Sequence, residues 1–258
     1  GMTAAEAEEL SASAEVASII NMIDYEFRNI PHWTWTRELL KKNHVGDLRF
    51  VSIDWISGGK AKPSTDLTWQ NQKEQGGGVL FGFGPHIIDY IEWFFGPIKS
   101  VLGKLTLAKS DIKENRSSLA EDTCNMIFEL ESCPIISVSV SNVMPCGRGH
   151  FIEIYGEKGA LKLGSGNLRD SVYGFELWEA KLGDDKATKL DLPKEFAPLD
   201  ESFADGRLSV FIKQAQKFIE SIESGVNAGP TFKDGLRNQI ILDAIRESDK
   251  TSSWIAVN

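Results

Sequence analysis

Apolar and polar positions change period several times along this chain, and each change predicts an element. Residues 4–16 are Ala- and Glu-rich with no breaker, which predicts a helix. Thr3-Ala-Ala-Glu6 at its start has capping-box spacing, with Thr3 accepting from the Glu6 amide and the Glu6 carboxylate reaching back. Residues 19–25 (IINMIDY) then read as a short apolar strand. A second helix is predicted over 31–43, with Trp33, Leu39 and Leu40 on its apolar side and Gly46 past its end. Residues 48–55 (LRFVSIDW) alternate apolar and polar, the period of a half-buried strand.

Residues 56–75 are polar and turn-rich and read as a long loop, a feature often tied to function. Gly84-Pro85 followed by HIIDYIEWFFG predicts a helix with Pro85 at its first position and Gly96 at its end. Six strand-like runs follow, at 100–107, 124–130, 135–143, 151–155, 160–163 and 175–180, with turns at 131–134 and 157–159. The charged stretch 184–201 reads as a solvated edge and loop. Two helices come next. The first, over 209–224, is amphipathic with Phe211, Ala215, Phe218 and Ile222 at helical spacing; the second spans 231–248. Residues 254–257 close the chain as a strand.

Strands in a run, followed by helices, predict an α+β fold: a large, mostly antiparallel sheet covered by helices on one face. The opening helix and strand resemble the tail of an α/β unit.

Composition narrows the function. The 258 residues carry a net charge of -9, which argues against nucleic-acid or anionic-membrane partners, since both need a basic face. No apolar run approaches the roughly 20 residues of a membrane span, and no signal peptide is apparent. Cys124, Cys133 and Cys146 are odd in number and form no C-x-x-C pair, so neither a disulfide framework nor a zinc ribbon is indicated and a reduced, cytoplasmic setting is expected.

The chemistry concentrates in residues 76–89 (GGGVLFGFGPHIID). The glycines lack G-x-G-x-x-G spacing and follow polar sequence, so a phosphate loop is not indicated; Gly164-Ser-Gly166, with Arg169 in the third position, also fails that pattern. His86, placed in the first turn of its helix, is expected to stay neutral against the helix dipole and to meet a substrate hydroxyl. Asp89, three residues on, can share its face and orient the ring. No further ligand cluster points to a metal. Arg28 suits either a substrate anion or hydroxyl, or a structural salt bridge. Trp69 suits either stacking on a sugar ring or plain packing. His150 is assigned no role, and His32 and His44 are expected at the surface.

The segment GGGVLFGFGPHIIDYIEWFFG resembles the GGG-x-L-x-D-x-G-x-H-x-x-D segment of the Gfo/Idh/MocA oxidoreductases. Further likenesses run in order along nearly the whole chain. They include Thr3 to Leu10, Asp24-Tyr-Glu-Phe-Arg28 with Pro31, Val45-Gly-Asp-Leu48, Glu121-Asp-Thr123, Ile154-Tyr-Gly-Glu-Lys-Gly159, Gly229-Pro-Thr-Phe-Lys-Asp-Gly-Leu236 and Ser253-Trp-Ile-Ala-Val257.

The resemblance implies a Rossmann domain binding NAD or NADP, a sugar, polyol or related substrate, and an α+β domain whose sheet pairs subunits into a homodimer. It implies that His86 is catalytic, and that Arg28, Trp69, His86 and Asp89 line the substrate. It also implies that the family's Glu-Lys-Pro motif belongs ahead of Thr3. Residues 1–25 are then expected to be a remnant of the dinucleotide-binding domain, its last helix and strand, and residues 26–258 the substrate-binding and dimerisation domain. Such a chain is expected not to bind the dinucleotide tightly alone, and a separate Rossmann-domain chain is one possible partner. The position of the family's Asp is Gly82. This departure keeps a second reading open, a non-catalytic dimeric ligand-binding or structural module.

Overall fold

The computed structural model describes residues 1–62, 67–108, 116–133, 135–167, 174–197, 200, 202–203 and 206–257. Pro134 of the predicted 131–134 turn and Arg169 lie outside them, as does part of the 184–201 stretch.

The strands are β1 (Leu48–Ile56), β2 (Ile98–Thr106), β3 (Thr123–Leu130), β4 (Ile136–Ser141), β5 (Gly149–Gly156), β6 (Gly159–Ser165), β7 (Glu176–Lys181), β8 (Thr188–Leu190) and β9 (Ile255–Ala256). They form one nine-stranded sheet in the order β8-β7-β6-β5-β1-β4-β3-β2-β9. Every neighbouring pair is antiparallel except β1 and β4, which run parallel. The tight β5–β6 turn at Glu157-Lys158 stands where it was predicted. β8, only three residues long, is too short to show a period and was read as loop.

Five helices accompany the sheet: α1 (Ala4–Val16), α2 (Pro31–Lys41), α3 (Val79–Phe95), α4 (Arg207–Ser224) and α5 (Phe232–Thr251). The alternation in β1 decides the layering. Val51, Ile53 and Trp55 point into the core with Met126, Phe128, Val138, Ile152 and Ile154 of neighbouring strands. α3 closes that core with Ile87, Ile88, Tyr90 and Ile91, each at most 1% exposed. Burying each such side chain stabilises by about 1.5–3 kcal/mol. The opposite face of the sheet is polar. There Arg148 pairs with Asp54 and Glu153, and Ser139 bonds Asn125.

Three expectations change. Residues 19–25 form no strand. Their backbone polar groups are satisfied elsewhere: Ile23 N–H donates to the Pro230 carbonyl, Asn21 N–H to Asn227, and the Ile23 carbonyl accepts from Gln214. With those bonds made, no sheet edge is needed. α1 itself docks on α5, where Ala4 N–H donates to Asp243 at 2.8 Å.

Second, α3 begins at Val79, six residues before Pro85, so the proline lies inside the helix. The start is fixed by Glu121, whose backbone carbonyl accepts from Val79 N–H and whose carboxylate accepts from Leu80 N–H at 3.0 Å. A Cβ on Gly78, which sits at φ 106°, would strike that carboxylate. The glycine run therefore serves a helix start capped by an acidic side chain.

Third, α4 turns its polar stripe inward. Ser209, Gln214 and Ser221 are buried with Val210, while Phe211, Ile219 and Ile222 are more than half exposed. The spacing located the helix but not the face it buries.

Candidate functional site

His86 stands in the middle of α3, not in its first turn, so the dipole argument for its neutrality fails. Neutrality follows from burial instead, which pushes its pKa down to about 4, with the nearby Asp24 carboxyl pulling the other way. Its side chain is a quarter exposed, yet Nδ1 is buried without a hydrogen-bond partner. The accessible edge of the ring is therefore not the Nδ1 edge.

The carboxylate beside it is Glu26, with Oε2 3.5 Å from Nδ1, and not Asp89. Glu26 opens a 3-10 turn, Glu26–Asn29, that crosses beneath α3. Burial raises the Glu26 pKa, while its own backbone and the Arg207 charge lower it. Burial likewise raises Asp24, helped by Glu26. A neutral imidazole flanked by two carboxyl groups of raised pKa is an arrangement suited to proton exchange.

Aromatic rings wall this cluster. Phe27 lies edge-on to His86 with centroids 5.4 Å apart, and Tyr25 does so at 6.3 Å. Behind them His150 stacks flat on Trp55, 4.2 Å away with the planes 7° apart. The Tyr90 hydroxyl meets His150 Nε2 at 3.2 Å. His150 is buried and its pKa is pushed down to about 3 by desolvation, with His86 adding to the shift. Sequence reasoning gave it no role, although the period of two from Ile154 and Ile152 already places it on the inward face.

Arg28 and Asp89 come together, but with each other. Arg28 Nε donates to Asp89 Oδ2 at 3.0 Å and Nη2 to Oδ1 at 2.5 Å. Burial pushes the Asp89 carboxyl up and the Arg28 guanidinium pulls it back, and the pairing holds Arg28 charged. Of the two readings left open for Arg28, the structure contains the salt bridge. Asp89 is committed to it and does not orient His86. Trp69 is 58% exposed, and no described contact joins it to His86. Its backbone carbonyl instead packs so closely on Gly77 that a Cβ there would lie 2.5 Å away. His44 pairs with Glu179 at 2.5 Å.

Among the described residues no group of three or more His, Cys, Asp and Glu side chains is placed to hold a metal ion. No helix among the described residues is long and apolar enough to cross a membrane.

The order of elements and the motif around His86 match a known domain. The sequence model of the Gfo/Idh/MocA oxidoreductase family's C-terminal alpha/beta domain covers residues 37–257. The chain belongs to this family. It is 34% identical over 245 residues to an uncharacterised oxidoreductase of Synechocystis sp., covering 91% of this chain and 64% of that protein. It is 23% identical to the human glucose-fructose oxidoreductase domain-containing protein 2, over 96% of this chain and 67% of that one. The chain thus spans about two thirds of the length of these Gfo/Idh/MocA relatives. Among solved structures, levoglucosan dehydrogenase in complex with NADH and levoglucosan superposes with a TM-score of 0.83 at 21% identity. That match covers all of this chain and 72% of the other, and shows a shared fold.

Arg28 was the residue singled out between Asp24 and Arg28, whereas the one whose side chain stands beside His86 is Glu26, with the Asp24 charge acting on the ring as well.

Proposed function

We propose that this chain is the substrate-side part of an NAD(P)-dependent oxidoreductase acting on a sugar, polyol or related polyhydroxy compound. The observation that carries this is His86: a neutral ring with one accessible edge, flanked by Glu26 and Asp24 and walled by aromatic rings. Its family membership and the NADH- and levoglucosan-bound structural neighbour support the same class of reaction. In this reading His86 accepts or returns the proton of a substrate hydroxyl, and the Glu26 carboxyl, 3.5 Å from Nδ1 but not hydrogen-bonded to it, favours the protonated ring electrostatically. Tyr25 and Phe27 are buried and hold the ring in place, leaving its exposed edge to meet the substrate hydroxyl. Asp89 and Arg28 act as positioning residues that fix the 3-10 turn to α3.

The described residues do not fit a dinucleotide. A Rossmann site needs a parallel βαβ sheet with a Gly-rich strand-to-helix turn, and the described sheet has a single parallel pair. We assign dinucleotide binding to a Rossmann domain outside these residues, in the same polypeptide or a separate chain. Residues 1–25 then belong with that domain in sequence while docking on α5. NADH fluorescence titration tests this: binding by these 258 residues is expected to be no tighter than roughly millimolar, and saturable micromolar binding overturns it.

Ligand-observed NMR with a panel of sugars and polyols tests the main proposal. Binding that His86→Ala weakens is expected; binding to none of the panel, or equal binding by the variant, overturns it. Gly82 favours a second reading, a non-catalytic ligand-binding or structural module, because the family's motif carboxylate is missing there. The two readings separate on whether a full-length form oxidises any compound that binds. We further propose a homodimer through the polar sheet face, where Phe50 and Tyr155 stand stacked 6.3 Å apart and partly exposed. Sedimentation showing only monomer at micromolar concentration would contradict it. Three cysteines free of disulfides support a reducing, cytoplasmic setting.

A further inference from the structure

The inward polar stripe of α4 borders a cavity of about 830 Å³ between α4, the start of α2 and the segment around Phe196. Four cationic side chains line it, Arg28, Arg37, Lys213 and Lys217, against two carboxylates, Glu195 and Glu220. Convergence of positive charge runs against the composition of a chain with net charge -9.

The cations are only partly neutralised. Arg28 is taken by Asp89, with Asp234 also 3.6 Å away. Arg37 donates to the Trp93 carbonyl at 3.1 Å and lies over the Trp93 ring, with no carboxylate paired to it. Among the described residues Lys213 has no hydrogen-bond or ion-pair partner. Lys217 is held by a neutral chain of bonds. Gln214 donates to the Ile23 carbonyl, the buried Asn29 donates to Gln214 at 2.7 Å, and Lys217 donates to Asn29. Burial and mutual repulsion both act on these groups: desolvation lowers the pKa of Arg37, Lys213 and Lys217, and the Arg28 charge lowers Arg37 and Lys217 further.

With Arg28 paired, Arg37, Lys213 and Lys217 face Glu195 and Glu220, and an excess of positive charge among partly desolvated groups costs stability unless an anion joins them. Amphipathic α4 turns apolar residues to solvent to present this stripe, a second expense with the same beneficiary. We infer that this cavity is an anion site, separate from the His86 cluster, that takes the phosphate group of a phosphorylated small molecule. Guanidinium forks and point-charge ammoniums together suit a phosphate dianion. The volume exceeds what phosphate alone fills, leaving room for an attached sugar-sized group.

The test is isothermal titration calorimetry with ribose 5-phosphate, ribose and inorganic phosphate, on the full chain and on Lys213→Met and Lys213→Arg. Lys213 has no bonding partner among the described residues, so neither variant is expected to disturb folding, and a circular dichroism melt checks this. Ribose 5-phosphate is expected to bind at sub-millimolar concentration, several-fold more weakly to Lys213→Met, and near normally to Lys213→Arg. Ribose is expected not to bind by this route. If inorganic phosphate matches ribose 5-phosphate, the site is a free-phosphate site of the same chemistry. Equal binding of ribose and ribose 5-phosphate, absence of binding by either phosphate compound, or an unchanged affinity in Lys213→Met overturns the inference. The same titrations on His86→Ala separate the two sites, since binding lost there and kept in Lys213→Met belongs to the His86 cluster; failure of the anion site therefore leaves the proposed oxidoreductase role untouched.

Discussion

Arg28 and Asp89, 61 residues apart in sequence, are joined by two N–H···O bonds that tie the 3-10 turn at Glu26–Asn29 to the middle of α3. Asp89 is 3% exposed in its side chain and Arg28 20%. Deleting one partner leaves the other charge without its pair, a loss of about 3–5 kcal/mol. Arg28→Ala is therefore expected to lower the urea midpoint strongly. It should also weaken sugar binding at His86, because Glu26 stands two residues from the broken contact. A denaturation midpoint within error of wild type would contradict the structural role.

His150 and His86 predict an acid limb of stability. Their folded-state pKa values of about 3 and about 4 lie below the unfolded value of about 6.5. Below pH 6.5 the unfolded chain takes up protons that the folded chain refuses until pH 4 and then 3. Their contribution is complete above pH 6.5 and is lost as pH falls through that window, on the order of 3 kcal/mol per fully buried ring. The raised carboxyls of Asp24 and Glu26 act in the opposite sense, so the measurement is a difference. Between pH 6.5 and 4, His150→Phe should lose stability less steeply than wild type in urea titrations; parallel curves would refute this.

How much of this was legible in the sequence depends on the range of the interaction. β1, β3 and β5 showed themselves by alternation, because one face of each meets the core and the other meets water. Residues 19–25 misled because an apolar run has the same appearance whether its backbone bonds go to a strand or, as here, to Pro230 and Gln214. Pro85 misled because the start of α3 is set by Glu121, 36 residues beyond it. His86 was found through its motif. Glu26 and His150 were not assigned, since their relation to His86 exists only once the 3-10 turn and β5 fold beneath α3.

Gly82 offers a substitution the backbone can accept. A Cβ there meets nothing within 4 Å, whereas one on Gly84 lies 3.0 Å from Leu242 and 3.2 Å from Leu80. Gly82→Asp should leave stability unchanged or improve it by a few tenths of a kcal/mol, through helix propensity. Gly84→Asp should cost roughly 1–3 kcal/mol. Position 82 lies one helical turn before His86, so the new carboxylate should favour imidazolium and raise the His86 pKa above about 4. An NMR titration of His86 reads this directly; an unshifted or lowered value would show that the two positions do not communicate.

The inverted face of α4 gives the last prediction. If Phe211 and Ile222 pointed to the core, as their spacing with Ala215 and Phe218 suggests, exchanging them for polar residues would cost several kcal/mol. They are 51% and 55% exposed, Ala215 and Phe218 are half-buried, and the buried apolar position of this helix is Val210, at 0%. Phe211→Ser and Ile222→Gln should therefore shift stability by no more than about 0.5 kcal/mol, while Val210→Ala should cost about 2 kcal/mol. The same comparison probes the anion cavity. Rotating α4 to bury its apolar stripe would carry Lys213 and Lys217 away from Arg28 and Arg37 and dissolve the positive cluster. Thermal melts of the three variants decide between the two orientations: a large loss for Phe211→Ser with little change for Val210→Ala would reverse the face assigned to α4.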